Sequence, residues 1–262
     1  MGTCVVRRTA LLILLVSVVV SGGCTNNRTD LDYSYNIEQR IPNDGDLPGD
    51  MIQFEQVFWE PSDSASLRKL IREDSIAQGR RVLEIGTGTG VIALTCAEHG
   101  AKQVIATDIN PAAVANARYN AANLDLEQNL EIRQVDEATP GAFSVLQGEP
   151  RFDLIISNPP WEDGDIKRPL DYAFYDPGFE LMDSILDGLP NHLSPGGRCL
   201  LTYGHVPAIE RLQAEATRRG LQCKVLDDRD LKALPKDFLP GMLVELRLGR
   251  DLIPNDAASR DE

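Results

Sequence analysis

Four consecutive residues, Asn158-Pro159-Pro160-Trp161, combine groups that can act together on a planar nitrogen. An amide or aromatic amine nitrogen is a poor nucleophile because its lone pair is delocalised into a carbonyl or a ring. An acceptor on each side of the NH2 group can draw its hydrogens out of conjugation and leave the lone pair aimed at an electrophile. Asn158 offers a side-chain oxygen and Pro159 a backbone carbonyl, while the rings of Pro159 and Pro160 stiffen the loop. Trp161 adds a face for stacking on a planar acceptor. Asn-Pro is also a common turn, but its place directly after the apolar run Phe152 to Ile156 favours the catalytic reading.

A second constellation lies upstream. Val82-Leu83-Glu84-Ile85 is an apolar strand pattern that runs into Gly86-Thr87-Gly88-Thr89-Gly90 and then the helical stretch Val91 to His99. Glycines let the backbone pass close beneath a ligand and free N–H groups at a helix start. The spacing is G-x-G-x-G, where dinucleotide sites use G-x-G-x-x-G. The next strand ends in Asp108, 22 residues beyond Gly86, where a carboxylate can accept both hydroxyls of a ribose. Asp136 follows the third strand and is expected to reach an exocyclic amine.

These residues need a frame that brings strand ends together. Apolar runs at Arg81 to Ile85, Gln103 to Thr107, Leu130 to Val135, Phe152 to Ser157, Arg198 to Tyr203, Gln222 to Leu226 and Met242 to Leu248 read as seven strands. Helices fit between them. Over Pro111 to Leu124, Asn110 caps, Pro111 takes the first turn, and Val114, Ala117, Ala121 and Leu124 share a face. Phe179 to His192 is a second, closed by the turn Ser194-Pro195-Gly196-Gly197, and Ala208 to Arg219 a third, closed by Gly220. Such alternation predicts an α/β fold with a doubly wound, mostly parallel seven-stranded sheet and a ligand site at the carboxyl ends of the strands.

Glu84 to Gly90, together with Asp108-Ile109-Asn110-Pro111, resembles the S-adenosylmethionine site of class I methyltransferases, whose seven-stranded sheet ends in an antiparallel strand. The likeness runs from about Phe54 to Leu248. It implies a Rossmann-like methyltransferase fold with S-adenosylmethionine as cofactor. Glu84 would lie near the methionyl part, with Gly86, Gly88 and Gly90 passing beside it. Asn158 to Trp161 resembles the N-P-P-[aromatic] signature of methyltransferases that act on nucleobase amines or on the side-chain amide of glutamine, most of which carry Tyr or Phe where this chain has Trp161. Val57 to Ser64 resembles the segment that covers the cofactor in the methyltransferase small-domain family, although Phe58 and Trp59 read equally well as core residues. The implied activity is N-methylation of a planar nitrogen, with a protein glutamine amide or a small molecule favoured over an RNA or DNA base. A membrane-tethered binding module that keeps the fold without catalysis is the other reading.

Composition narrows the partners. Forty acidic against 26 basic side chains give a formal charge of −14, which disfavours broad phosphate-backbone binding. Cys96, Cys199 and Cys223 sit in apolar stretches with neither a CxxC pair nor a histidine at ligand spacing, so buried free thiols and no metal site are expected. At the N-terminus, Arg7 and Arg8, the apolar run Ala10 to Val20 and Ser21-Gly22-Gly23 read over residues 1–23 as a signal sequence or membrane anchor, with Cys24 as a lipidation candidate. Export or membrane association is then expected, and a cytoplasmic protein if translation starts near Met51. Residues 24–50 read as a flexible tether, 51–250 as the methyltransferase domain and 251–262 as a polar tail.

Overall fold

The computed structural model describes residues 28–253. The signal or anchor expected over residues 1–23, Cys24 and the end of the polar tail lie outside the described residues. Two compact units are present, residues 1–30 and 31–262. Of the first, only Arg28 to Asp30 are described, with the Arg28 guanidinium paired to the Asp30 carboxylate.

The second unit opens with β1 (Ile37–Ile41) and β2 (Met51–Phe54), an antiparallel pair. This corrects the tether expected over 24–50. The first four residues of β1 are exposed, so the strand has no apolar stripe to read. It is held instead by its backbone ladder to β2 and by the Gln39–Gln53 side-chain bond, with Ile41 and Leu47 entering the core. After α1 (Ala65–Glu73) come β3 (Arg81–Ile85), α2 (Val91–Glu98), β4 (Gln103–Asp108), α3 (Pro111–Asn123), β5 (Leu130–Gln134) and β6 (Phe152–Ser157). Then follow α4 (Glu180–His192), β7 (Leu193–Tyr203), α5 (Val206–Arg218), β8 (Leu221–Val225) and β9 (Met242–Leu248).

The strands form a seven-stranded sheet in the order β5-β4-β3-β6-β7-β9-β8, with β9 antiparallel to both its neighbours and every other pairing parallel. Inner parallel strands are buried on both faces and so read as continuous apolar runs, which is why β3, β4, β6 and β7 are plain in the sequence. Successive side chains feed opposite layers: Val82 and Leu154 join α1, α2 and α3, whereas Leu83 and Ile155 join α4 and α5. The Ser194 to Gly197 turn is a bulge at the start of β7. Pairing jumps from Phe152↔Leu193 to Leu154↔Arg198, with Gly196 at φ 76°. Strand order reverses between β3 and β6, so the carboxyl ends of these two strands flank the crevice where such sheets bind ligands.

Candidate functional site

The Gly-rich turn leaves β3 and the Asn158 loop leaves β6, so both constellations open on that crevice. Ser157 Oγ donates to the Ile85 carbonyl at 2.6 Å and ties the two strand ends together. Between them lies a cavity of about 720 Å³, a volume suited to a cofactor together with part of a second molecule. Its lining includes Glu84, Gly86, Thr87, Gly88 and Asp108 from the β3 and β4 ends, Asn158, Pro159 and Pro160 from the β6 end, and Phe58, Trp59 and Pro61.

Glu84 is 1% exposed. Its Oε2 accepts from Thr87 Oγ1 at 2.6 Å and from the Ala93 amide at 3.2 Å. Its Oε1 is buried with no hydrogen-bond partner among the described residues. Burial pushes this carboxyl up to about 8, with Asp108 adding to the rise and the Thr87 bond opposing it. A buried, unsatisfied acceptor on a cavity wall calls for a donor from the cavity, and the methionyl ammonium of S-adenosylmethionine has that chemistry. Asp108 takes the Gly88 amide on Oδ2 and the Asn110 amide on Oδ1, both at 2.9 Å. These bonds fix the carboxylate plane and leave lone pairs for ribose hydroxyls. Burial raises Asp108 as well, and its backbone bonds work against that rise. Gly86, at φ 77°, has open space where a Cβ would stand; a side chain there would occupy the cradle. An orphaned acceptor, an open glycine and a fixed carboxylate together fit the cofactor.

Asn158 and Pro159 face the same cavity. The Asn158 Oδ1 accepts from Thr202 Oγ1 at 2.6 Å, and this threonine, fully buried on β7, is one that sequence reasoning missed. Tyr172, Tyr175 and Asp176, from the irregular segment between β6 and α4, complete the far wall. Asp176 is 3% exposed and caps α4 by accepting from the Leu181 and Met182 amides.

Three residues named from the sequence sit elsewhere. Gly90 does not line the cavity: a Cβ there would meet the Ala117 Cβ at 3.1 Å, so its place, at φ 87°, is the packing of α2 against α3. Asp136 opens on a neighbouring depression with Pro111 and Glu137, and its Oδ1 is engaged by the Ala138 amide at 2.9 Å. Val135 takes the cavity position instead. Trp161 is also outside the lining. Its ring stacks on Phe238 with centroids 6.1 Å apart, its Nε1–H donates to the Thr202 carbonyl at 3.1 Å, and Gly204 makes room for it, since a Cβ there would stand 2.4 Å from the indole. The ring is thus half-buried against β7 and away from the cavity lining.

The model of the methyltransferase small domain matches residues 59–215. A Methanocaldococcus jannaschii chain provisionally named a protein N5-glutamine methyltransferase is 34% identical over 158 residues, covering 58% of this chain and 75% of that one. The release factor glutamine methyltransferase of Cereibacter sphaeroides is 41% identical over 135 residues, covering 47% of this chain and 46% of that one. The chain thus spans about half the length of the release-factor enzymes it matches. Among solved structures, the ribosomal protein L11 methylase of Lactobacillus delbrueckii subsp. bulgaricus superposes with a TM-score of 0.53 at 17% identity, over 74% of this chain and 82% of that one. That likeness concerns the fold.

Proposed function

Since the chain belongs to the methyltransferase small-domain family, we propose that it is an S-adenosylmethionine-dependent N-methyltransferase whose acceptor is the side-chain amide of a protein glutamine. The observation that carries this reading is the placement of Asn158 and Pro159 on the wall of the cavity that also holds Glu84, Gly86 and Asp108. Bound S-adenosylmethionine supplies a methyl group on a sulfonium, a leaving group that departs with the bonding electrons. The chain's own residues make the acceptor competent. Asn158 Oδ1 and the Pro159 carbonyl each accept one hydrogen of the incoming amide, which turns the nitrogen lone pair towards the methyl. The nitrogen forms the new N–C bond and sheds one proton to solvent, so no strong base is needed. Holding the partners in attack geometry supplies much of the acceleration.

A glutamine in a protein is favoured over a nucleic-acid base by charge. Among the described residues Lys167 is the one cation on the cavity wall, against Glu60, Asp108, Asp165, Asp176 and Glu180, an arrangement that repels phosphates. The names of the relatives point the same way. For location we propose attachment to the membrane through Cys24, or a cytoplasmic protein if synthesis begins near Met51. Mass spectrometry of the native N-terminus decides between them.

The test pairs tritium transfer from labelled cofactor into glutamine peptides and RNA with calorimetry of cofactor binding. Asn158→Ala lowers turnover on the order of a hundredfold and leaves cofactor affinity within a few-fold. Asp108→Ala does the reverse at the first step: loss of a charged hydrogen-bonding partner, about 1.5 to 3 kcal/mol, weakens cofactor binding at least tenfold. Label in RNA but not in peptide overturns the acceptor, and an Asn158→Ala protein with full activity overturns the mechanism.

A further inference from the structure

We propose that Thr202 is a positioning residue for methyl transfer, acting through Asn158; this rests on the acceptor role given to Asn158 above. Thr202 lies near the end of β7 and has no exposed surface. The strand Cys199-Leu200-Leu201-Thr202-Tyr203 is fully buried, and β7 is flanked by β6 and β9, with Thr202 opposite Leu243 in the register. One residue in this rigid setting holds both ends of the Asn158 to Trp161 loop. Its hydroxyl donates to Asn158 Oδ1 at 2.6 Å and its carbonyl accepts the Trp161 indole N–H at 3.1 Å.

The two contacts have different consequences. The carbonyl bond fixes where the loop runs, and any residue at 202 would keep it because it is made by the main chain. The hydroxyl bond anchors the Asn158 side chain through its Oδ1. An asparagine amide turned by 180° presents NH2 where oxygen stood, and an NH2 facing the incoming glutamine NH2 sets donor against donor. In the arrangement present the hydroxyl donates to Oδ1, so oxygen is held on the Thr202 side of the amide and keeps its second lone pair for the acceptor. Thr202 does not line the cavity. Its effect falls on the fraction of the enzyme ready to orient the acceptor, and so on turnover more than on cofactor affinity.

The test compares Thr202→Val, which removes the hydroxyl at nearly equal volume, with Thr202→Ser, which keeps it. Thr202→Val lowers kcat at least tenfold on a glutamine peptide, with cofactor Kd and tryptophan emission unchanged. Thr202→Ser stays within threefold of the wild type despite its lost methyl group. In an Asn158→Ala background Thr202→Val has no further effect on kcat. The second arm needs no acceptor: the Asn158 side-chain NH2 pair, identified in a 15N correlation spectrum by its loss in Asn158→Ala, shifts or broadens in Thr202→Val and holds its place in Thr202→Ser. Equal losses in the two variants, or an Asn158 NH2 pair unmoved by Thr202→Val, overturn the proposal. A wild type that methylates no glutamine while the NH2 pair responds to Thr202→Val overturns the assigned acceptor and leaves the Thr202 contact standing.

Discussion

Glu84 carries the most distinctive electrostatics of the site, and its proton has measurable consequences. In the folded chain burial holds its carboxyl up to about 8, against an ordinary value of 4.5. The folded state therefore keeps a proton that an unfolded chain releases. The stability from this group is present below about 4.5 and is lost as pH rises through about 8. Asp108, raised in the same direction by burial, adds to the loss. Cofactor affinity runs the opposite way, because the methionyl ammonium favours the ionised carboxylate. We expect affinity to rise between pH 6 and 8 with release of a proton, and Glu84→Gln to bind more weakly and lose most of that slope. Calorimetry in buffers of different ionisation enthalpy measures both quantities; an affinity flat with pH in the wild type removes Glu84 from the cofactor. At this scale the sequence was informative where chemistry and chain order coincide. Glu84 and Asp108 lie at the carboxyl ends of strand patterns, and Gly86 and Asn158 directly follow them. Trp161 was misplaced because its partners, Phe238 and Gly204, come from distant turns, and Thr202 was missed because one threonine in an apolar strand carries no signature.

Among the elements, α3 ties together more of the structure than its small residues suggest. Asn116 and Asn120, both fully buried, face β2. Asn120 Oδ1 accepts from the Ile52 amide at 2.9 Å, its Nδ2 donates to the Ile52 and Thr89 carbonyls at 2.9 Å each, and Asn116 Oδ1 accepts from the Phe54 amide at 2.8 Å. Asn120 thus links β2 to the Gly-rich turn. Replacing it with alanine strips three buried bonds, and Asn120→Ala should cost about 2 to 4 kcal/mol of stability by urea unfolding. Asn123, exposed one turn on with a single bond to the Asp50 carbonyl, is the control, and Asn123→Ala should change stability by less than about 0.5 kcal/mol. Equal effects would show that the clasp is incidental. The helix itself was legible from its Asn110-Pro111 start and its alanine face. Its second, polar face was not, because a buried asparagine differs from a surface one only in what lies opposite, and β2 is remote in the chain.

For the whole molecule, the boundary of the folded unit bears on where synthesis begins. The domain was expected from Met51, yet Ile41 and Leu47, each 8% exposed, lie in the core with Met51, Leu67 and Ile71. A chain that starts at Met51 forfeits both side chains and the β1 ladder. At about 1.5 to 3 kcal/mol for each buried aliphatic side chain, it should be less stable by several kcal/mol than one starting at Leu31. Differential scanning of the two chains checks this, and equal melting temperatures would restore Met51 as a sufficient start. The asparagine clasp adds a consequence for how this part of the molecule changes over generations. On the hairpin, Asn116 and Asn120 grip main-chain atoms of Ile52 and Phe54 and none of its side chains, so the outward side chains of the hairpin are free to drift while the grip is kept. In descendants of this chain the exposed positions of the hairpin should therefore diverge, while its buried apolar positions and two asparagines four apart on the helix α3 remain as its surviving trace.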